Sequence, residues 1–210
     1  DFESIEIGSV GRPHENCEIK IADDGEILTR HGGTFKGYFK DEKSTREVID
    51  EEGWLHTGDV GEITERGSLI ITDRKKDIIM TSGGKNVSPS EIENKIKASP
   101  YIKDALVVGD RRKFLSCLVA IEFETVSNWA LRKKIPFTTY RDLTEKSEVR
   151  ELVSKEIIRA NEETSSLQVR KFELIPKELD HEDGELTATQ KIKRNVIIEQ
   201  FSELVESMYK

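Results

Sequence analysis

The sequence predicts an α+β chain in two parts, a small β-barrel or meander over residues 1–72 and a compact α/β domain over residues 77–210, joined at 73–76. Two changes of pattern predict it. Up to Thr72, apolar and charged residues alternate in short stretches separated by glycine turns, the period-2 signature of half-buried strands. After the five charged residues Asp73-Arg74-Lys75-Lys76-Asp77, apolar positions recur at helical spacing or gather into runs of strand length.

Taken in order, Cys17, Ile19 and Ile21 alternate with charged residues and form a strand. Ala22-Asp23-Asp24-Gly25 turns the chain, and Ile27 to Thr29 returns it as a hairpin. Residues 41–50 read as a short helix, and Val60–Ile63 with Leu69–Ile71 as a second hairpin around Glu65-Arg66-Gly67. With so few aromatics, this part has a thin core and is expected to show an exposed edge or apolar face. In the second part, Ile78 to Met80 is a short strand ending in Thr81-Ser82-Gly83-Gly84. Ser88-Pro89-Ser90-Glu91 has the form of a capping box with proline at the first helical position, and Ile92 and Ile96 make the buried stripe. Ala105–Val108 and Leu115–Phe123 are strands, and residues 146–163 form a helix with Val149, Leu152, Val153, Ile157 and Ala160 on one face. Val169–Ile175 is a further strand, and 193–208 a final amphipathic helix carrying Ile197, Phe201, Leu204, Val205 and Met208.

Composition narrows the function classes. The 210 residues are 35% apolar and 35% charged, with a mean hydropathy of −0.56, yet Ile, Leu and Val recur throughout, which excludes wholesale disorder. No run approaches the roughly 18 apolar residues of a membrane span, and neither a span nor a secretory leader is expected. With 33 basic and 41 acidic residues the net charge is −8, which argues against a dedicated nucleic-acid binder. Cys17 and Cys117 are far apart with no Cys–His cluster, so neither a disulfide framework nor a metal site is expected, and a reduced, cytoplasmic setting is. The chain begins at Asp1 and not at methionine, so a fragment is expected.

Three polar constellations carry the chemistry. In Gly53-Trp54-Leu55-His56-Thr57-Gly58-Asp59, the last three residues read on spacing alone as a turn with a local cap, but a carboxylate so placed can also accept two hydrogen bonds from a vicinal diol. Thr72-Asp73-Arg74-Lys75-Lys76-Asp77 followed by Thr81-Ser82-Gly83-Gly84-Lys85-Asn86 is either surface charge and a tight turn, or a backbone left bare for a ligand. No glycine loop has the phosphate-binding P-loop spacing, so the main cradle for any triphosphate lies elsewhere. Leu186-Thr187-Ala188-Thr189-Gln190-Lys191-Ile192-Lys193-Arg194 is either a helix cap with solvent charges, or a loop presenting a lysine to a phosphate or carboxylate oxygen.

Together, in this order, these motifs resemble the C-terminal portion of long-chain fatty-acid–CoA ligases, which are adenylate-forming enzymes. The resemblance runs from Gly8-Ser9-Val10-Gly11-Arg12-Pro13 to the last helix and includes Gly25-Glu26-Ile27-Leu28 and Phe35-Lys36-Gly37-Tyr38. Five fixed positions in the first motif alone would match by chance in roughly one window in a million at ordinary residue frequencies. The resemblance implies that residues 1–72 end a larger N-terminal domain, that 73–76 is a hinge with Lys76 at its pivot, and that 77–210 is a mobile AMP-binding-enzyme C-terminal domain. It implies that Asp59 and Arg74 bind the ribose of ATP and of the acyl-adenylate. It implies too that Ser82, Gly83 and Gly84 line the channel for the pantetheine of CoA, and that Lys191 is catalytic in adenylate formation. Thr57 and Gly58 complete their motif without direct chemistry. Where many relatives have Ser-Gly before the lysine, this chain has Thr189-Gln190, so Lys193 is a rival for the role.

The implied reaction converts a fatty acid, ATP and CoA into acyl-CoA, AMP and pyrophosphate, with Mg²⁺ whose ligands are not in this segment. Its partners are the absent N-terminal region and the fatty acid, and peripheral membrane association is compatible with long-chain substrates. The rival readings are a segment of an acyl-AMP ligase or of a peptide-synthetase adenylation domain, and a non-catalytic interaction module. Without the N-terminal region this chain alone is expected to be inactive.

Overall fold

Alternating apolar and charged residues between glycine turns build the first of two units into which the chain divides, Asp1–Ile78 and Ile79–Lys210. The structure is a computed structural model and describes residues 6–164 and 168–210. In the first unit β1 (Cys17–Ile21), β2 (Glu26–His31), β3 (Leu55–Ile63) and β4 (Leu69–Arg74) form an antiparallel meander in that order. A short helix, α1 (Glu42–Val48), is capped by the Asp41 carboxylate, which accepts from the Ser44 N–H. The core is thin, as expected: Ile27, Leu28, Trp54 and Leu69 are buried, whereas Ile7, Val10, Phe39, Ile63 and Ile71 are exposed.

Two expectations change here. The Thr57-Gly58-Asp59 segment is not a turn between strands but lies inside β3. The charged run at 73–77 is not a free linker. Asp73 and Arg74 complete β4, and Lys75–Asp77 follow as a single 3₁₀ turn.

In the second unit a small hairpin, β5 (Ile79–Met80) with β6 (Asn86–Val87), precedes helix α2 (Pro89–Lys97). The sheet of this unit is β7 (Ile102–Val108), β8 (Leu115–Ile121) and β9 (Val169–Leu174). The β7–β8 pair is antiparallel and the β8–β9 pair parallel. Parallel pairing requires a long crossover, and the chain supplies it as α3 (Phe123–Arg132), α4 (Tyr140–Thr144) and α5 (Ser147–Glu162). After β9 come α6 (Arg194–Gln200) and α7 (Ser202–Ser207).

All seven residues of β8 are buried, which explains why its sequence is apolar apart from Ser116. Leu115, Cys117, Val119 and Ile121 pack into one cluster with Ile92, Ile96, Val126, Val153 and Ile157 of the helices. Leu118 and Ala120 join a second cluster with Ile197, Phe201, Val205 and Met208. The sheet is thus covered by helices on both faces, a layered α/β arrangement.

Three details differ from the sequence reading. The strand expected to reach Phe123 stops at Ile121, and Phe123 opens α3, whose Val126 and Ala130 are buried one helical turn apart. The last helix is broken at Phe201, where the backbone leaves helical geometry. At α2, proline takes the first helical position as expected, but Ser88 makes no side-chain cap bond, and Glu91 pairs forward with Lys95 at 2.8 Å.

Candidate functional site

The first part of the site grows from a bulge in the β2–β3 ladder. Leu28 pairs with His56 and Glu26 with Val60, so the single residue Ile27 faces Thr57, Gly58 and Asp59. Two extra residues on one strand lose their regular ladder partners, and side chains replace them. The Thr57 hydroxyl donates to the Ile27 carbonyl at 2.7 Å and accepts from the Asp59 N–H at 3.1 Å. The Gly58 N–H donates to Glu26 Oε1 at 2.9 Å. Gly58 has φ of +70°, a left-handed conformation that glycine adopts without strain.

The bulge aims Asp59 across the sheet at Arg74, its register partner on β4. Arg74 Nε lies 2.9 Å from Asp59 Oδ1, an ion pair across the two strands. The carboxylate is half-buried and the guanidinium exposed, so the pair presents an acceptor and a fan of donors at the surface of the sheet. Among the described residues nothing bonds Asp59 Oδ2. That arrangement fits a vicinal diol, with the carboxylate as acceptor and the guanidinium as donor. Lys76 lies exposed in the 3₁₀ turn that follows.

Glu26 is the residue that sequence reasoning missed. Its side chain is only 5% exposed, and it accepts from Gly58 N–H, from His56 Nδ1 at 3.0 Å and from Lys75 Nζ at 2.9 Å. Lys75 also pairs with Asp24 at 2.6 Å. Burial opposes ionisation of Glu26, but the bonds from Lys75, His56 and Gly58 outweigh it and hold the carboxyl below the ordinary glutamate range. The available signal was an acid opening a strand whose next residues, Ile27 and Leu28, are apolar.

The second unit carries the remaining candidates. Ser82, Gly83 and Gly84 form the exposed tip of the β5–β6 hairpin. The Gly84 N–H donates to the Thr81 carbonyl at 2.9 Å, and the Ser82 N–H to the Arg112 carbonyl at 2.9 Å. Gly84 has φ of +76°, so the turn itself requires glycine there. Gly83 is different. Its φ is not in the left-handed range, and a Cβ added to it would meet only Thr81 Oγ1 at 4.0 Å. The packing of the described residues gives no reason for glycine at 83.

Lys191 sits on a tight loop closed by the Thr187 N–H to Lys191 carbonyl bond at 2.8 Å and the Lys191 N–H to Thr187 hydroxyl bond at 3.0 Å. Gln190 takes the left-handed position of this loop, φ +61°. The Lys191 side chain is exposed and has no ion-pair partner among the described residues. Both flanks of the loop are anchored. Fully buried Glu185 accepts from Lys177 Nζ at 3.0 Å and from the Asp180 N–H at 2.8 Å, and its carbonyl accepts from the Lys193 N–H at 2.8 Å. Arg194 donates to both oxygens of Glu93, at 2.7 and 2.9 Å, and to the Val107 carbonyl at 2.9 Å. A lysine so mounted presents an exposed charge on an anchored loop.

Other chemistry finds little support. Burial pushes the Cys117 thiol up, out of the range in which it would act as a nucleophile. Among the described residues no group of three or more His, Cys, Asp or Glu could hold a metal ion, and no helix is long and apolar enough to cross a membrane.

Comparison with known proteins adds independent findings. The model of the AMP-binding enzyme C-terminal domain matches residues 76–210. Long-chain-fatty-acid–CoA ligase FadD15 of Mycobacterium tuberculosis is 39% identical over 210 residues, covering 99% of this chain and 35% of that protein. The chain therefore spans about a third of the length of the curated relatives it matches. Among solved structures, the adenylation domain of a carboxylate reductase from Mycobacterium chelonae superposes with a TM-score of 0.76 at 21% identity, over 96% of this chain and 32% of that one. O-succinylbenzoate coenzyme A synthetase of Bacillus subtilis, in complex with AMP, gives a TM-score of 0.61 at 25% identity, over 90% of this chain and 35% of that one.

Proposed function

The chain belongs to the AMP-binding enzyme family through its C-terminal domain, and from that premise we propose that it is the C-terminal segment of an ATP-dependent long-chain fatty-acid–CoA ligase. The observation that carries the reading is the pairing of Asp59, on the β2–β3 bulge, with Arg74 of β4, an acceptor and a donor set suited to a ribose diol. The acyl substrate class follows the names of the relatives. In the complete enzyme, a fatty-acid carboxylate attacks the α-phosphorus of ATP, forming acyl-AMP and releasing pyrophosphate. The CoA thiolate then attacks the acyl carbon and releases AMP.

Asp59 and Arg74 hold the ribose in both steps. Lys191 supplies positive charge to the carboxylate and α-phosphate oxygens as negative charge builds in the first step. The Ser82–Gly84 turn lies along the pantetheine in the second, where Gly83 leaves room. Residues 73–76 act as a hinge, with Lys76 at its pivot, between the end of the N-terminal domain and the mobile C-terminal one. Mg²⁺ would accompany ATP, held by residues outside this chain. A cytoplasmic enzyme, peripheral to a membrane when it meets long-chain substrate, suits this chemistry.

The test is Lys191→Ala in the full-length enzyme. Adenylate formation, followed by ATP–pyrophosphate exchange, should fall by ~100-fold or more, the usual cost of one preorganised charge donor. Starting from preformed acyl-AMP, the same variant should make thioester at a near-normal rate, and Lys193→Ala should be mild in both assays. Equal damage to both half-reactions, or a critical Lys193 beside a dispensable Lys191, would overturn the assignment.

A further inference from the structure

Glu26 is a buried carboxylate in the thin core of a four-stranded sheet, beside Ile27 and Leu28. A buried carboxylate is costly unless well paired, and an apolar residue could fill such a place without that cost. What distinguishes Glu26 is the division of labour between its two oxygens. Oε1 takes the N–H of Gly58, the middle residue of the bulge and the neighbour of Asp59. Oε2 takes Nζ of Lys75, the neighbour of Arg74, together with Nδ1 of His56. Each member of the Asp59–Arg74 pair is therefore adjacent in sequence to a group that Glu26 holds.

We propose that Glu26 is a positioning residue for nucleotide binding, fixing the bulge that carries Asp59 and the strand end that carries Arg74 so that both meet a ribose diol without rearrangement. This rests on the reading of Asp59 and Arg74 given above. The physical benefit is preorganisation. The Gly58 N–H has no ladder partner, and a bulge with an unsatisfied donor would sample other conformations. In those conformations Asp59 points elsewhere, and binding must then include the cost of reordering it. Asp24 supports the same arrangement from the far side by pairing with Lys75.

The experiment compares Glu26→Gln, Glu26→Leu and Lys75→Met in the full-length enzyme, alone and in an Asp59→Ala/Arg74→Ala background, beside Asp59→Ala itself. The readouts are KM for ATP, KM for CoA, kcat at saturating ATP, and thermal stability. Glu26→Leu, which removes both acceptors, should raise KM for ATP about tenfold. Glu26→Gln, which keeps an oxygen for the Gly58 N–H, and Lys75→Met should raise it two- to fivefold. In all three, KM for CoA and kcat should stay within twofold. In the Asp59→Ala/Arg74→Ala background the same substitutions should change KM for ATP less than twofold further, because their effect passes through that pair.

If Asp59→Ala raises KM for ATP while the Glu26 and Lys75 variants lose only thermal stability, the positioning role is wrong and the nucleotide reading stands. The same holds if their effects on KM multiply with that of the Asp59→Ala/Arg74→Ala pair. Should Glu26→Leu fail to fold, Glu26→Gln and Lys75→Met still decide the question. If Asp59→Ala leaves KM for ATP unchanged, the nucleotide reading fails, and the Glu26 role with it.

Discussion

Substitutions at the tip of the β5–β6 hairpin separate what the fold needs from what the reaction needs. Gly84 holds φ +76° with open space around the position of an added Cβ, so Gly84→Ala should cost only the left-handed strain, roughly 1–2 kcal/mol. Gly83 has neither constraint: its φ is ordinary, and the nearest atom to an added Cβ is Thr81 Oγ1 at 4.0 Å. Gly83→Ala should therefore be neutral or stabilising by about 0.4–1 kcal/mol, through the reduced freedom of the unfolded chain. Because Gly83 is exposed, even Gly83→Leu should fold normally. Urea unfolding of the three variants measures these differences directly. In the full-length enzyme, Gly83→Leu should leave adenylate formation within twofold of wild type. Thioester formation from preformed acyl-AMP should slow on the order of 100-fold, the effect of displacing a substrate by about an ångström. If Gly83→Leu unfolds the chain, the reading of open space is wrong. If both half-reactions run at wild-type rate, this turn does not line the path of CoA.

Two further expectations concern what holds the candidate residues in place. Gly61→Ala puts a Cβ 2.2 Å from the Ile70 carbonyl oxygen and 2.8 Å from Ile27 Cδ1, so β3 and β4 must part. The first unit should lose about 3 kcal/mol or more, and an unchanged urea midpoint would refute this. Arg194→Ala removes the bidentate partner of Glu93, with side-chain exposures of 18% and 11%. Breaking so buried a pair should cost about 2–4 kcal/mol, and lower the melting temperature of the second unit well beyond the Lys155→Ala control. That control breaks an exposed pair with Glu151, which contributes little to stability. Equal shifts for the two variants would contradict the anchoring of the Lys191 loop.

Local chemistry by itself determined much of this protein. The period-2 alternation of Cys17, Ile19 and Ile21, the Gly25 and Gly67 turns, and proline at the first position of α2 are each decided within a few residues, and each element forms where those residues stand. The motif residues Asp59, Arg74, Ser82–Gly84 and Lys191 could be named from their order along the chain. Their setting could not. Thr57-Gly58-Asp59 looks like a turn because Thr, Gly and Asp favour turns, yet it is the bulge of a nine-residue strand, since β2 and β4 supply partners on both sides. The charges of Asp73 and Arg74 suggest a linker, but register pairing with Val60 and Asp59 draws them into the sheet. Helix α3 was hidden because Phe123 continues the apolar run of β8, and only packing of Val126 and Ala130 against the core separates the two. Glu26 and Glu93 were silent for the same reason. A buried carboxylate acquires its role from donors brought 14 to 101 residues along the chain, as Val107 and Arg194 are to Glu93, and such donors meet it only when the chain has folded.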